Sequence, residues 1–309
     1  MNRTSRLPAG IVPLLETPFD EAGAIDFDSL GRLIDDVIAG GVNGLMAPLV
    51  ASEVHALAVE ERIELVAFCA RAIRHRVPFV VGASSDDPET CRRFARLAEE
   101  LGSDAYLVAI PNELYGSEDR ILEFFRSIVA VSATPLIIQD LQWNGPGLDL
   151  DTIRRLRDAL PTLCGMKIET VPAGPKYTAV RAALGGDFYI SGGWAIPQLI
   201  EALDRGVDSM VPESALIRVF SAIYRAHSTG DRDGSIRTFR KLVPVLVFSN
   251  QELYHSIAFF KRLLFRKGII RTATMRKPGY TWDPYSSRIA DELIDYYLQL
   301  EREIGGTPQ

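Results

Sequence analysis

The chain has 309 residues, of which 47% are hydrophobic and 24% charged, and its 34 basic residues are outnumbered by 40 acidic ones, so the formal net charge is −6. This composition is typical of a globular protein and excludes an intrinsically disordered or fibrous chain. A negative net charge without a dense basic run argues against nucleic acid or an anionic membrane as the partner.

Between residues 10 and 228, short β-rich apolar runs alternate with longer segments of helical period. Eight successive strand–helix units predict a parallel sheet covered by helices, and the number eight favours a closed (β/α)8 TIM barrel, with a doubly wound open sheet as the alternative. The predicted strands are 10–17, 44–49, 79–84, 105–110, 135–140, 163–169, 188–193 and 209–213.

After residue 228 the pattern is helical only, with predicted helices at 231–249, 251–268 and 286–304. The sequence therefore predicts two domains, a barrel catalytic domain at 1–228 and a C-terminal helical domain at 229–309.

The sequence also indicates where the protein resides. An N-terminal apolar stretch is interrupted by Pro13 and followed at once by acidic residues, which is not the pattern of a signal peptide. No apolar run approaches the roughly 18 residues that a membrane helix needs. The cysteines Cys69, Cys91 and Cys164 are odd in number and form no CxxC motif, which favours reduced thiols. We expect a cytoplasmic protein that binds neither nucleic acid nor membranes.

Lys167 is the first candidate for chemistry. It is one of only six lysines among the 34 basic residues, and it stands near the end of the sixth predicted strand. The carboxyl ends of barrel strands form the active-site face, and a lysine amine held among apolar side chains there can form a Schiff base with a carbonyl compound, which arginine cannot. The alternative is a lysine that snorkels to the barrel mouth or pairs with Glu169.

Several segments of the chain form a set that is found together in one enzyme family. They are GIVPLLETPFDEAGAIDFDSL from residue 10, Glu53 after the second strand, PLIIQD, GMK, ISGGW and FFKRLLFRKGIIRTATMRKP from residue 259. With these segments the chain resembles the dihydrodipicolinate synthase / N-acetylneuraminate lyase family of class I aldolases over about residues 8–305. The resemblance implies a barrel with C-terminal helices, usually tetrameric, whose barrel lysine forms a Schiff base with pyruvate or another 2-oxo acid, and Lys167 matches that lysine.

The chain departs from the family pattern at three loops. Where the family has Gly-Thr-Thr-Gly-Glu, residues 49–53 read Leu-Val-Ala-Ser-Glu, and only the Glu is kept. Where the family has its proton-shuttling Tyr, residues 139–142 read Gln-Asp-Leu-Gln, followed by Trp143 and Asn144 in place of the synthases' arginine. The loop commonly reading Pro-Tyr-Tyr is Pro-Asn-Glu at 111–113. A true dihydrodipicolinate synthase is therefore not expected.

Other polar groups must then supply proton transfer. Glu169 shares a strand face with Lys167 and is the leading candidate, with an orienting ion pair or a helix cap as its alternative role. His55 is the second candidate because its side chain titrates near neutrality, although such residues often lie at a surface. Gln139 can orient a substrate but cannot shuttle protons. Asp140, beside it, is a candidate for substrate binding or a helix cap.

Four more residues are predicted to bind substrate. Ser52 and the backbone amides near Glu53 can receive a carboxylate, and Gly192 and Gly193 remove side chains where substrate would pass, although a tight turn also explains them. The sequence contains no HxH, HExxH or phosphate-loop motif, so we expect neither a metal nor another cofactor.

The main hypothesis is a Schiff-base lyase, aldolase or dehydratase that acts on a 2-oxo acid or a related small carbonyl compound, as a homo-oligomer (dimer or tetramer). The alternative is a family member that has lost turnover and binds a small carbonyl or carboxylate ligand as a sensor or scaffold. Loss of the Tyr and both Thr residues motivates the alternative, and the retained Lys167 argues against it, because a buried amine is costly to keep without a use.

Overall fold

Eight parallel strands alternate with helices to form a (β/α)8 barrel in the computed structural model, which describes residues 7–142, 145–193 and 196–305. All eight predicted strands are present, and each is shorter than its predicted run. The strands are β1 Gly10–Ile11, β2 Leu45–Ala47, β3 Phe79–Gly82, β4 Ala105–Ala109, β5 Leu136–Asp140, β6 Leu163–Ile168, β7 Tyr189–Gly192 and β8 Ser209–Met210.

The first strand closes the barrel. The sheet runs in the order β1-β8-β7-β6-β5-β4-β3-β2, and the chain just after β1 also bonds to β2: the Met46 N–H donates to the Pro13 carbonyl at 3.0 Å, and the Leu15 N–H to the Met46 carbonyl at 3.0 Å. Pro13 has no N–H, which limits the regular part of this strand. The open doubly wound alternative is therefore wrong.

The connecting helices follow the strands in turn. Their N-terminal carboxylates cap free backbone N–H groups: Asp26 accepts from Ser29 N at 3.1 Å and Asp149 from Thr152 N at 2.7 Å. The helices are α1 Phe27–Ala39, α2 Val59–Ile73, α3 Pro88–Glu100, α4 Glu118–Val129, α5 Leu150–Ala159, α6 Gly174–Leu184, α7 Leu199–Asp204 and α8 Ile217–Ser228.

Three further helices follow, α9 Arg232–Ser249, α10 Leu253–Arg266 and α11 Pro284–Gly305. The helix α9 packs on α7 and α8, α11 packs on α8 and α9, and α10 lies against the loops after β2 and β8. The C-terminal helices thus reach the end of the barrel where the strands terminate. The division into domains at 228 stays a prediction. Within the described residues, no helix combines the length and apolarity needed to cross a membrane.

An extra residue in β6 sets the direction of its side chains. Leu136 pairs with Leu163, but Ile137 pairs with Gly165, so Cys164 is a bulge. The Cys164 side chain lies in the barrel interior, whereas Met166 packs in the layer between strands and helices. Without the bulge, the two-residue alternation of a strand would turn residue 167 toward the helices. The bulge therefore directs Lys167 and Glu169 into the barrel.

Candidate active site

Lys167 and Glu169 face a small chamber at the carboxyl end of the barrel. The chamber has a volume of about 30 Å³, and five of its lining residues also line an outer cleft of about 800 Å³. The chamber is thus the inner end of a path from the surface. The shared residues are Leu49, Val50, Gln139, Leu141 and Leu253.

Three side chains in the chamber form one hydrogen-bonded group. Lys167 Nζ lies 2.6 Å from Glu169 Oε2, and both side chains are 4% exposed. Gln139 Nε2 donates to the same carboxylate oxygen at 2.5 Å. The register explains this group, because Gln139 on β5 pairs directly with Lys167 on β6. The structure thus brings together three of the four residues predicted to act in catalysis.

Two glycines at the end of β7, Gly192 on the strand and Gly193 just after it, face different surroundings. A Cβ on Gly193 would collide with Glu169 Oε1 and lie 2.8 Å from Lys167 Nζ, so a side chain there would displace the ends of these two side chains. A Cβ on Gly192 would instead collide with the Tyr177 hydroxyl, in the layer between strands and helices. Roles of Gly192 and Gly193 in substrate binding stay predictions.

Two buried carboxyl groups near the chamber were missed by sequence reasoning. Glu213 lines the chamber, and burial raises its pKa to about 8, with Glu16 and Glu169 adding to the rise and Lys167 opposing it. Burial also raises the pKa of Glu16, which accepts hydrogen bonds from the N–H and hydroxyl of Ser214. Their positions in the sequence could have revealed them. Glu16 lies next to the end of the first predicted strand and Glu213 at the end of the eighth, where side chains face the active-site end of a barrel.

The loop after β2 is fixed by buried polar contacts. The Ser52 hydroxyl donates to the Leu15 carbonyl at 2.6 Å and accepts from Leu49 N at 3.0 Å. Glu53 is buried with a left-handed backbone (φ 58°), and its carboxylate pairs with Lys261 and accepts from Arg276 N at 2.9 Å. These contacts hold the loop in place, and substrate binding by Ser52 and Glu53 stays a prediction.

Lys261 reaches this loop from α10. Its side chain is buried, and its ammonium also donates to the Thr274 carbonyl at 2.8 Å and lies 4.2 Å from the centre of the Phe19 ring. Burial lowers the pKa of Lys261, and the carboxylates of Glu53 and Glu16 oppose that shift. The C-terminal helices therefore supply a cation to the loop after β2.

Asp140 anchors the segment that follows β5. Its buried carboxylate accepts from the Tyr115 hydroxyl at 2.9 Å, from Lys176 Nζ at 2.6 Å and from Leu148 N at 3.1 Å. Burial raises the pKa of Tyr115 well above its usual value, and Asp140 adds to that rise. Substrate binding by Asp140 stays a prediction, and Trp143 and Asn144 lie outside the described residues.

His55 lies apart from the Lys167 group. It is exposed on the short 3-10 turn Val54–Ala56 and lines the outer cleft. The cleft is bordered by Arg62, which donates to the Ser84 carbonyl at 3.0 Å, and by the start of α10. Its position suits contact with a distal part of a substrate better than contact with an atom bonded to Lys167. A catalytic role for His55 stays a prediction.

Within residues 7–142, 145–193 and 196–305, no group of three or more His, Cys, Asp or Glu side chains is placed to hold a metal ion. The three cysteines are buried, and burial raises the pKa of each thiol to about 12. Of the polar clusters described above, the Lys167 chamber is the one that joins a buried amine to carboxyl groups and to a path from the surface.

Known proteins are similar to this chain in sequence. The chain is 26% identical to the 4-hydroxy-tetrahydrodipicolinate synthase of Bacillus subtilis over 238 residues, which is 74% of this chain and 80% of the relative. It is 26% identical to the L-2-keto-3-deoxyarabonate dehydratase of Azospirillum brasilense over 277 residues, 87% of this chain and 88% of the relative.

A solved structure of 4-hydroxy-tetrahydrodipicolinate synthase from Methylacidiphilum fumariolicum SolV superposes with a TM-score of 0.86 at 21% identity. The superposition covers 97% of this chain and 99% of the other, and it shows the shared fold. The model of the dihydrodipicolinate synthetase family matches residues 7–292. With eight strands closed into a barrel and a family match over nearly its whole length, the chain belongs to the dihydrodipicolinate synthetase family.

Proposed function

We propose that the protein is a Schiff-base lyase in which Lys167 captures the carbonyl carbon of a 2-oxo acid or related small carbonyl compound. The observation that carries the proposal is the placement of the Lys167 amine, buried in the barrel mouth 2.6 Å from Glu169. Attack of the amine on the carbonyl gives an imine, and its protonated form withdraws electrons from the neighbouring carbon. Carbon–carbon cleavage, carbon–carbon formation and dehydration all use that electron withdrawal.

Glu169 and Gln139 have different tasks in this proposal. Glu169 lies within hydrogen-bond distance of the amine, so its carboxylate can take a proton from Lys167 and later exchange one with the substrate. Gln139 donates to Glu169 and has no group that titrates near neutrality. It therefore holds the carboxylate in position rather than transferring protons.

The chamber and the relatives both support the proposed substrate class. Apolar residues such as Leu14 and Val211 line the chamber beside the amine, so it suits a small carbonyl group. The larger outer cleft has room for the rest of a substrate. A relative covered over 88% of its length is an L-2-keto-3-deoxyarabonate dehydratase, which makes 2-oxo sugar acids the first compounds to test.

Trapping with borohydride tests the proposal. The protein is incubated with pyruvate, 2-oxobutyrate or L-2-keto-3-deoxyarabonate, reduced, and analysed by intact mass and peptide mapping. We expect the mass of the reduced substrate on Lys167 in the wild type and no adduct in Lys167→Arg. Absence of an adduct with every compound, or an adduct that persists in Lys167→Arg, would contradict the proposal. Trapping without turnover would favour a ligand-binding protein instead.

We also propose that the protein is not a dihydrodipicolinate synthase, although relatives carry that name. Gln139 cannot relay protons, and Val50 and Ala51 have no hydroxyl to hold a substrate carboxylate. Purified protein given pyruvate and aspartate semialdehyde should show no condensation above a protein-free control. Efficient condensation would refute this assignment.

A further inference from the structure

Glu213 occupies a defined position in the Lys167 chamber. The preceding Pro212 carbonyl accepts from Leu14 N at 3.0 Å, and the following Ser214 is bonded to Glu16, so the backbone is held on both sides. The Glu213 side chain lines the same chamber as Lys167 and Glu169. Its Oε2 atom is buried and has no hydrogen-bond partner within the described residues.

A buried oxygen without a hydrogen-bond partner is less stable than a bonded one. The destabilisation is smaller when the carboxyl group is neutral, or when a ligand supplies the missing partner. Glu213 differs in this from Glu16, whose two oxygens both accept from Ser214. Glu213 is thus a carboxyl group in the chamber that is placed to meet a ligand.

The charged groups around Glu213 come from three elements. Glu16 lies beyond β1, Lys167 and Glu169 lie on or just after β6, and Lys261 of α10 interacts with Glu16. Glu16 and Glu169 disfavour a further negative charge, whereas Lys167 is already bonded to Glu169. Together with burial, this environment raises the pKa of Glu213 to about 8, so the group carries its proton at neutral pH.

We propose that Glu213 is the catalytic acid of imine formation, donating its proton to the hydroxyl group that leaves when the Lys167 adduct loses water. This inference rests on the proposed Schiff-base function and assigns a step of it. Two carboxyl groups in one chamber then have different roles. Glu169 accepts a proton from the amine, and Glu213 supplies a proton to the leaving oxygen.

The step balances without another reactant. Addition of the Lys167 amine to the carbonyl forms a C–N bond, and a proton passes from nitrogen to oxygen to give a neutral carbinolamine. Glu213 then donates its proton to the carbinolamine hydroxyl. The C–O bond breaks, water leaves with the electron pair, and the nitrogen lone pair forms the C=N bond. The products are an iminium cation, a Glu213 carboxylate beside it and one water, and hydrolysis of the imine returns the proton.

The rate of imine formation tests the assignment. Wild type, Glu213→Gln and the surface control Glu60→Gln are mixed with each compound of the trapping panel and quenched with borohydride after increasing times at pH 6 to 9. We expect Glu213→Gln to form the Lys167 adduct about 10²–10⁴-fold more slowly, the usual contribution of a general acid. The wild-type rate should fall as pH rises through about 8, and this fall should be absent in Glu213→Gln.

The outcomes separate the two proposals. An adduct in the wild type that forms at the same rate and with the same pH profile in Glu213→Gln overturns the role of Glu213 alone. No adduct in the wild type with any compound overturns the Schiff-base function and, with it, the step assigned to Glu213.

A spectroscopic measurement tests protonation without any substrate. The infrared difference spectrum of wild type minus Glu213→Gln at pH 6.5 should show the C=O stretch of a carboxylic acid, and the band should be lost at pH 10. A difference spectrum with only a carboxylate band at pH 6.5 overturns the assignment. Matching far-ultraviolet circular dichroism of both proteins establishes that the variant is folded.

Discussion

At Lys167, the protein places a buried amine 2.6 Å from Oε2 of Glu169. Only a neutral amine can attack a carbonyl carbon, and Glu169 is the carboxylate within reach of the Lys167 proton. The Gln139 amide donates to the same oxygen of Glu169 and holds the carboxylate in place. The role proposed for Lys167 therefore depends on its contact with Glu169.

The first prediction concerns Glu169→Gln. Loss of the proton acceptor should lower kcat by about 10²–10⁴-fold on whichever substrate is found, while borohydride still traps the imine at Lys167. His55→Asn is the matched comparison, since His55 lines the outer cleft and is exposed. An active Glu169→Gln together with an inactive His55→Asn would place the proton relay on the loop after β2 instead.

The second prediction concerns Asp140→Asn. This change removes the negative charge that accepts hydrogen bonds from Lys176 Nζ and the Tyr115 hydroxyl. The Lys176 ammonium then lacks its carboxylate partner. Breaking a buried pair from one side typically costs about 3–5 kcal/mol, so urea unfolding should show a loss of stability of that order. The exposed Asp151, which pairs with Arg154, serves as the control, and Asp151→Asn should change stability by under about 0.5 kcal/mol. Equal effects of the two substitutions would show that Asp140 is not a structural anchor.

At the scale of elements, the bulge in β6 depends on a glycine. A Cβ on Gly165 would collide with the Tyr189 carbonyl oxygen and lie 2.5 Å from the Tyr189 Cβ, so β6 and β7 could not keep their present spacing. Both atoms belong to the neighbouring strand, and a strand cannot move aside as a flexible side-chain end can.

The third prediction follows from that contact. Gly165→Ala should lower the unfolding free energy by about 1–3 kcal/mol and slow the trapping of Lys167, because relief of the collision displaces the strand that carries the amine. Gly186→Ala is the control, since a Cβ there meets no atom within 4 Å. Normal stability and trapping in Gly165→Ala would show that the bulge tolerates a side chain.

Elements with a strong hydrophobic pattern could be predicted from the sequence, whereas features that depend on contacts between distant residues could not. The eight strands were located by their short apolar runs and the three C-terminal helices by their helical period, because each element buries an apolar face. Lys167 and Glu169 were proposed as neighbours from their two-residue spacing. The spacing alone does not show whether both side chains point into the barrel or toward the helices. The bulge at Cys164 determines this, and it is visible only in the pairing of β5 with β6. Glu213 was missed because its significance comes from burial beside Lys167, which only the closed barrel creates.

At the scale of the whole molecule, ion pairs from the segment after α10 link the C-terminal helices to the barrel. Arg276 forms two hydrogen bonds to the Glu61 carboxylate, at 2.7 and 2.6 Å, and Arg271 forms two to Asp26, at 2.7 and 2.6 Å. Hydrogen bonding by Arg276 lowers the pKa of Glu61 to about 2, and that by Arg271 holds the pKa of Asp26 well below its usual range. Two ion pairs thus link distant parts of the chain.

The fourth prediction concerns how the stability contributed by these two ion pairs depends on pH. Because both carboxyl groups have lower pKa values folded than unfolded, the stability that they contribute is present above about pH 4.5 and is lost as pH falls toward 2. The melting temperature of Glu61→Gln should therefore fall less steeply between pH 5 and 2.5 than that of the wild type. Glu60→Gln, altered at the exposed neighbouring residue, should retain the wild-type slope. Parallel slopes in all three proteins would contradict the prediction.

The contacts of Glu53 have a consequence for the order in which a newly made chain completes its loops. Synthesis proceeds from the N-terminus, and the strands of the barrel are complete at Met210, whereas the partners of Glu53 are Lys261 and Arg276. The barrel strands are therefore made before either partner of Glu53, whereas the Ser52 contacts of the same loop use only Leu15 and Leu49. A chain released by the ribosome before residue 261 would leave the Glu53 carboxylate without its ammonium partner.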